Sequence, residues 1–242
     1  MSYQDFDTFK NHAVITAKLV NTSNMHIGGI DQDDNLNRII RINHSGNEIP
    51  FIPGSSLKGM LRSEMERHAR GMEIEICDSS NPKKVCDGKN NSEYCLICGI
   101  FGGAGLAAHV KLEDGMPIGE ISTSIKPSAP INRVTGTSAN FFNTEVVDPF
   151  QEFSFKAVID NIPLIENDGD QRGQLIKLML RNLLDGNLSV GGKVTSGMGN
   201  IKFEDMKVLI QELDSDFTLM DKQYSVTLQA GAMKFTLLEE AE

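Results

Sequence analysis

The sequence predicts an α+β fold, a ferredoxin-like antiparallel sheet carrying two insertions, on three grounds. Two segments alternate apolar and polar residues with the period of a half-buried strand, and two others repeat apolar residues with the period of a helix. The elements follow one another as strand, helix, strands, helix, strand, which is the order of a ferredoxin-like sheet. No internal repeat and no linker divides the 242 residues, so one domain spanning residues 1–242 is expected.

In chain order, Ala13, Ile15, Ala17 and Leu19 on one face, with Val14, Thr16, Lys18 and Val20 on the other, make the first strand. A glycine-containing, acid-rich loop is expected over residues 21–37, and Arg38 to Ile42 reads as a short second strand. Pro50 to Gly54 reads as a turn. Ser55 or Ser56 then caps a helix running to about Arg70, with Leu57, Met60, Leu61 and Met65 as its apolar stripe. Residues 71–107 are too polar and irregular for a core element and form the first insertion. Residues 122–152, punctuated by Pro, Gly and Asn, form the second, a long protruding hairpin. Phe153, Phe155, Ala157 and Ile159 alternate as a strand, and Leu175, Leu178, Met179 and Leu183 mark a helix over 171–184. A glycine-rich loop, Gly191 to Gly199, leads into a last strand from Ile201 to Ile210.

All four cysteines fall in the first insertion, as Cys77-x8-Cys86-x8-Cys95-x2-Cys98. The Cys95–Cys98 spacing lets two thiolates share one metal, and Cys77 and Cys86 complete a tetrahedral set. A basic-then-apolar leader is absent from the acidic segment Met1 to Lys10, so reduced thiols and a structural zinc are expected rather than disulfides. Four protein ligands leave no open position for substrate. His68 replacing one sulfur, or plain thiols in a loop, are the alternatives.

The formal net charge is −10, with nine acids against three lysines in residues 204–242. Net charge therefore gives no support to a polyanion partner, and a nucleic-acid site requires basic side chains to converge locally. No stretch approaches the roughly 20 apolar residues of a membrane span, and a soluble, cytoplasmic protein is expected.

Two segments carry candidate chemistry. In Ile52-Pro53-Gly54-Ser55-Ser56-Leu57-Lys58-Gly59-Met60-Leu61-Arg62, a tight turn delivers hydroxyls and backbone N–H groups at a helix start, an anion-binding arrangement. Lys58 and Arg62, four residues apart, share a helical face and extend it. In Gly191-Gly192-Lys193-Val194-Thr195-Ser196-Gly197-Met198-Gly199, four glycines in nine residues permit close backbone approach to a ligand. This second segment is not a nucleotide fingerprint, since it lacks the G-x-x-x-x-G-K-[ST] order.

Together these segments resemble the RAMP superfamily, the repeat-associated proteins of CRISPR effector complexes, and its backbone subunits in particular. The resemblance rests on FIPGSSLKGMLRS near residue 55, CLICGIFGG at 95–103, INRVTGTSANFFNTEVV at 131–147 and GGKVTSGMGNIKF at 191–203, in the family's order. The cysteine insertion is similar to that of the zinc-bearing subunits of type III-D, III-E and type VII systems. The resemblance implies an RRM-like palm, a β-hairpin thumb, and copies stacked along a CRISPR guide RNA that pairs with target RNA. It nominates Ser55, Ser56, Lys58, Arg62, Gly191, Gly192, Lys193, Ser196 and Met198 as guide-holding residues, with His26 near the groove. It also implies a thumb carrying Arg133, Phe141 and Phe142 that wedges between base pairs.

Active members cut target RNA with an Asp in a context like D-x-P-V-I-R before the IPGSS segment. Aligning Ile39-Ile40-Arg41 with V-I-R puts Leu36 at the Asp position, and leucine binds no metal. The expectation is a non-cutting subunit working with a separate nuclease and other effector subunits. A shifted register would restore Asp34, or engage Asp31 or Asp33, and give a metal-dependent endoribonuclease. A guide-processing nuclease would need a His beside a Tyr or Lys, and His26 and His44 show no such constellation.

Overall fold

The computed structural model of the chain describes residues 3–241 apart from 4, 34–35, 79–80, 82, 87–93, 139–140 and 166–168. In order, the first half holds β1 (His12–Asn21), β2 (Gly28–Asp33), β3 (Leu36–Ile39), β4 (Arg41–His44), β5 (Asn47–Pro50), α1 (Gly54–Gly71), α2 (Cys98–Phe101) and β6 (Val110–Leu112). The second half holds β7 (Thr123–Ser128), β8 (Phe142–Val147), β9 (Glu152–Asp160), α3 (Gln171–Asp185), β10 (Leu188–Ser189), β11 (Asn200–Leu213), β12 (Leu219–Gln229) and β13 (Ala232–Ala241).

The main sheet runs β13-β12-β11-β1-β9-β6, all antiparallel, with β10 beside β11. The alternation in β1 and β9 turns Ala13, Ile15, Leu19, Phe153, Phe155, Ala157 and Ile159 toward the helices, where they are buried. α1 covers them with Leu57, Leu61, Met65 and Ala69, and α3 with Leu175, Ile176, Met179, Leu180 and Leu183. At about 1.5–3 kcal/mol per fully buried large side chain, this layer dominates the favourable side of folding. α3 starts at Asp170, whose carboxylate accepts from Arg172 N at 2.8 Å, and stops at Gly186 in the left-handed region.

A second sheet, β2-β3-β8-β7, stands at the end of the main sheet where β1 finishes and β9 begins. The expected acid-rich loop over 21–37 is instead largely strand, because β3 pairs parallel with β8 through Leu36–Asn143 and Asn37–Thr144. The expected hairpin forms from β7 and β8, and Thr144 to Val147 are buried. Its root is therefore inside the molecule, while Ile131, Val134 and Phe141 in its loop are exposed.

Two further expectations are corrected. Neither serine caps α1: Pro53 is the cap residue, and Asp114 accepts from Gly54 N at 2.7 Å. The first insertion is not wholly outside the core, since Leu96 and Ile97, just before α2, and Ile100 and Phe101 within it join the main apolar cluster. The acidic tail, in which the sequence shows no motif, forms β12 and β13 and widens the sheet.

Candidate nucleic-acid interface and metal centre

Residues 24–27 run between the glycine-rich loop and the hairpin root. On one side Met25 exchanges backbone hydrogen bonds with Val147, at 3.0 and 2.8 Å. On the other, Gly199 N donates to Asn24 O at 2.8 Å and Gly192 N to His26 O at 2.7 Å. The approach at Gly191 demands glycine: its φ is +91° and an added Cβ would lie 2.3 Å from His26 O. The loop is thereby pressed onto the body with Gly191, Gly192 and Ser196 on its exposed side. Met198 is half-buried.

His26 is buried and donates from Nδ1 to the Glu145 carbonyl at 2.8 Å. The Glu145 carboxylate in turn accepts from Nη1 and Nη2 of Arg41, at 2.9 and 2.5 Å, and from Ile39 N at 3.1 Å. The Arg41 hydrogen bond holds this carboxyl below the usual glutamate range. Lys193, in the left-handed region at φ 58°, reaches under β8, bonds the Thr144 hydroxyl and lies 4.7 Å from the Phe142 ring centre. Burial lowers its pKa below the ordinary lysine value. Phe142 is thus packed at the hairpin root, while its neighbour Phe141 is 70% exposed. Arg133 lies on the exposed hairpin loop.

The other candidate segment lies at the β6 edge of the sheet, with β1 and β9 between it and the glycine-rich loop. Ser55 is exposed, and Ser56 and Lys58 are half-buried. Burial and the nearby Arg62 both lower the Lys58 pKa. Arg62 turns the other way. It donates to Glu66 at 3.0 Å, to Gly102 O at 3.2 Å and toward Cys98 Sγ at 3.7 Å, so its fork is committed to the cysteine insertion. Spacing places it correctly on the Lys58 face, but spacing carries no information about a sulfur 36 residues away.

The sulfurs of Cys77, Cys86, Cys95 and Cys98 all lie within 4.8 Å of one another. Cys77–Cys98 is 3.5 Å and Cys95–Cys77 is 3.6 Å, too long for disulfides and near the roughly 3.8 Å edge of a tetrahedron with 2.3 Å metal–sulfur bonds. Hydrogen bonding from Cys98 lowers the Cys95 thiol to about 4, whereas burial pushes Cys86 up to about 11. The bond to Cys95, then burial, pushes Cys98 upward as well. Thiolates this close repel one another, and a bound dication would offset that repulsion. The four residues fit a metal. His68 is engaged elsewhere, 2.9 Å from the Asn182 amide and 3.2 Å from Glu64.

The insertion is clamped from a second side. Arg172, almost wholly buried, donates to Gly99 O at 3.3 Å and stacks 4.6 Å from the Tyr3 ring centre. A Cβ at Gly99 would meet that ring at 2.4 Å. Sequence reasoning missed Arg41, Glu145 and Arg172, whose partners come from distant segments.

Asp34 lies outside the described residues. Among the described residues, no helix is long and apolar enough to cross a membrane.

A family model described as RAMP superfamily matches residues 18–202, a span that holds the glycine-rich loop, the hairpin and the cysteine cluster. The CRISPR system Cms endoribonuclease Csm3 of Methanothermobacter thermautotrophicus is 28% identical over 233 residues, covering 83% of this chain and 86% of its own. With three quarters of its length inside that match, the chain belongs to the RAMP superfamily.

Proposed function

We propose that the chain is a backbone subunit of a CRISPR effector complex that holds the phosphate backbone of a guide RNA. In this reading, copies line up along the guide and present it for pairing with target RNA. Other effector subunits, including a separate nuclease, complete the assembly in the prokaryotic cytoplasm. The strand order β11-β1-β9-β6 supports an RRM-like palm within a single domain, with the β7–β8 hairpin as thumb and residues 71–107 as a zinc-bearing insertion. The observation that carries the reading is the glycine-rich loop closed on His26, with Lys193 beneath the hairpin root. Ser55, Ser56, Lys58, Gly191, Gly192, Lys193 and Ser196 then contact phosphates without reading bases. Arg62 and Met198 support that surface from inside.

Binding of single-stranded RNA by the full chain tests this. Lys58→Ala combined with Lys193→Ala should weaken binding and lower the salt slope by about one per lost phosphate contact. An unchanged slope rejects the assignment.

Leu36 supports a subunit that does not cut, since a paired strand residue with an alkyl side chain offers no metal ligand. The endoribonuclease name of the Methanothermobacter relative favours a second reading, a metal-dependent endoribonuclease using Asp34, Asp31 or Asp33. Guide-loaded protein should leave complementary RNA intact in magnesium or manganese. Regular cuts that vanish in Asp34→Ala would establish the second reading instead.

A further inference from the structure

His26 holds one ring nitrogen out of every internal contact. The Glu145 carbonyl can only accept, so Nδ1, 2.8 Å away, carries a ring proton. In the neutral ring Nε2 is then an acceptor. Among the described residues nothing donates to it. The side chain is only 9% exposed, and a polar atom in such a setting ordinarily has a partner. Among the described residues, the fully buried side-chain polar atoms without one are Asn11 Oδ1 and His109 Nδ1. His26 Nε2 is not among them, so it opens to the surface through a narrow gap.

Two glycines make that gap. A Cβ at Gly28 would lie 3.6 Å from Nε2, and one at Gly192 would lie 3.6 Å from Cδ2, the carbon beside it. Both glycines are exposed. Gly192 is fixed there by donating to His26 O at 2.7 Å, and the Glu145 carbonyl fixes the ring. The acceptor is thus preorganised on the face that carries Gly191, Gly192 and Ser196.

Chemistry selects what enters. The lone pair of a neutral imidazole repels phosphate and carbonyl oxygens and takes a hydrogen from a hydroxyl or an N–H. A chain whose phosphate lies on the glycine-rich loop carries its ribose next to that phosphate. In RNA that ribose presents a 2′-hydroxyl at every nucleotide, whereas base N–H groups change with the sequence. We propose that His26 Nε2 accepts a hydrogen bond from a ribose 2′-hydroxyl and so distinguishes RNA from DNA at this surface. This assignment rests on the proposed role of the glycine-rich loop as a guide-RNA surface. Lys193 attracts any polyanion there, and His26 reads the sugar. A His26 that merely braced the loop against the hairpin root would be indifferent to the sugar.

Fluorescence anisotropy of the full chain at about pH 8, where an ordinary imidazole is neutral, tests this. The probes are a short single-stranded RNA of mixed sequence and its 2′-fluoro counterpart, which keeps the RNA sugar pucker and lacks the donor hydrogen. The wild type should bind the RNA about fivefold more tightly, the worth of one hydrogen bond. His26→Asn keeps a donor toward the Glu145 carbonyl, while its oxygen stops one bond short of the Nε2 position. It should bind both probes alike, at the wild-type affinity for the 2′-fluoro strand. Lys193→Ala should weaken both probes equally and keep the fivefold ratio. If His26→Asn does not fold by circular dichroism, nitrogen NMR of the wild type decides: the Nε2 resonance should move upfield with RNA and not with the 2′-fluoro strand. Equal binding of both probes by the wild type, or a preference that survives in folded His26→Asn, would overturn the proposal and leave RNA binding itself intact. A chain that binds neither probe would overturn the RNA-binding reading and this assignment with it.

Discussion

The cysteine insertion sends Leu96, Ile97, Ile100 and Phe101 into the main core, whereas the hairpin loop keeps Ile131, Val134 and Phe141 in solvent. Both segments interrupt the same sheet, and the sequence marks both as polar and irregular. They differ in what their short structured parts touch. α2 is held from three sides, by Arg62, by Arg172 and by the Tyr3 ring. Among the described residues the hairpin is held along β8, through pairing with β3 and Met25, Glu145 to Arg41 and Thr144 to Lys193, while its loop from 129 to 138 is exposed. An insertion can thus be a structural element that happens to be long, or a lever whose outer end is left free for a partner.

The sharpest way to break this contrast is to remove the metal ligands. Cys95→Ser with Cys98→Ser should lose one equivalent of bound zinc by metal analysis and cost about 4 kcal/mol or more, destabilising the whole body. If urea unfolding of the sheet were unchanged, the insertion would be a passenger like the hairpin loop.

Glu145→Gln should cost about 2 kcal/mol, because it leaves the Arg41 fork without its carboxylate at a largely buried site. The depressed carboxyl also fixes the sign of a pH effect. The contribution is complete above the ordinary glutamate range and is lost as the pH falls through the lowered native value. The acid limb of a thermal-melt profile should therefore flatten in the variant, and an identical limb would remove Glu145 from the hairpin's anchorage.

Lys193→Ala should change stability by less than about 1 kcal/mol while lowering the salt slope of RNA binding by about one. A stability loss with no change in slope would make the lysine a strut for Phe142 and nothing more. The smallest structural effect belongs to Phe141→Ser, expected within about 0.5 kcal/mol of the wild type. Its effect should appear as weaker pairing of a guide-loaded complex with target RNA, measured by mobility shift. Equal target affinity would leave the hairpin loop without a role in pairing.

Elements that bury one face over a long run were legible in the sequence. β1, β9, α1 and α3 each carry a period that core contact enforces, and their ends fall within a few residues of expectation. β2 was not legible, because Gly28–Asp33 owes its strand form to pairing with β3 rather than to an apolar face. α2 is four residues long, too short to show a period, although the Cys95–Cys98 pair that leads into it was plain from spacing. In β12 the core-facing Lys222 interrupts the alternation, bonding Glu212 at 3.3 Å, and hides the strand. Among the site residues, the four cysteines and the glycine-rich loop were readable as local patterns. Arg62 was readable as a cation on the Lys58 face, and its commitment to Cys98 was not.

Asp114, seated on the first amide of α1, is a tethered anion at the place where a phosphate would bind. A free inorganic phosphate or a mononucleotide competes with it one contact against one, at a permanent disadvantage in effective concentration. A polymer already anchored at the glycine-rich loop meets the same competitor on equal terms, since its next phosphate is tethered too. On the proposed reading the helix start therefore disfavours small anions relative to a chain of phosphates. Any selectivity for length at this point would come from one internal carboxylate, Asp114, without a base being read.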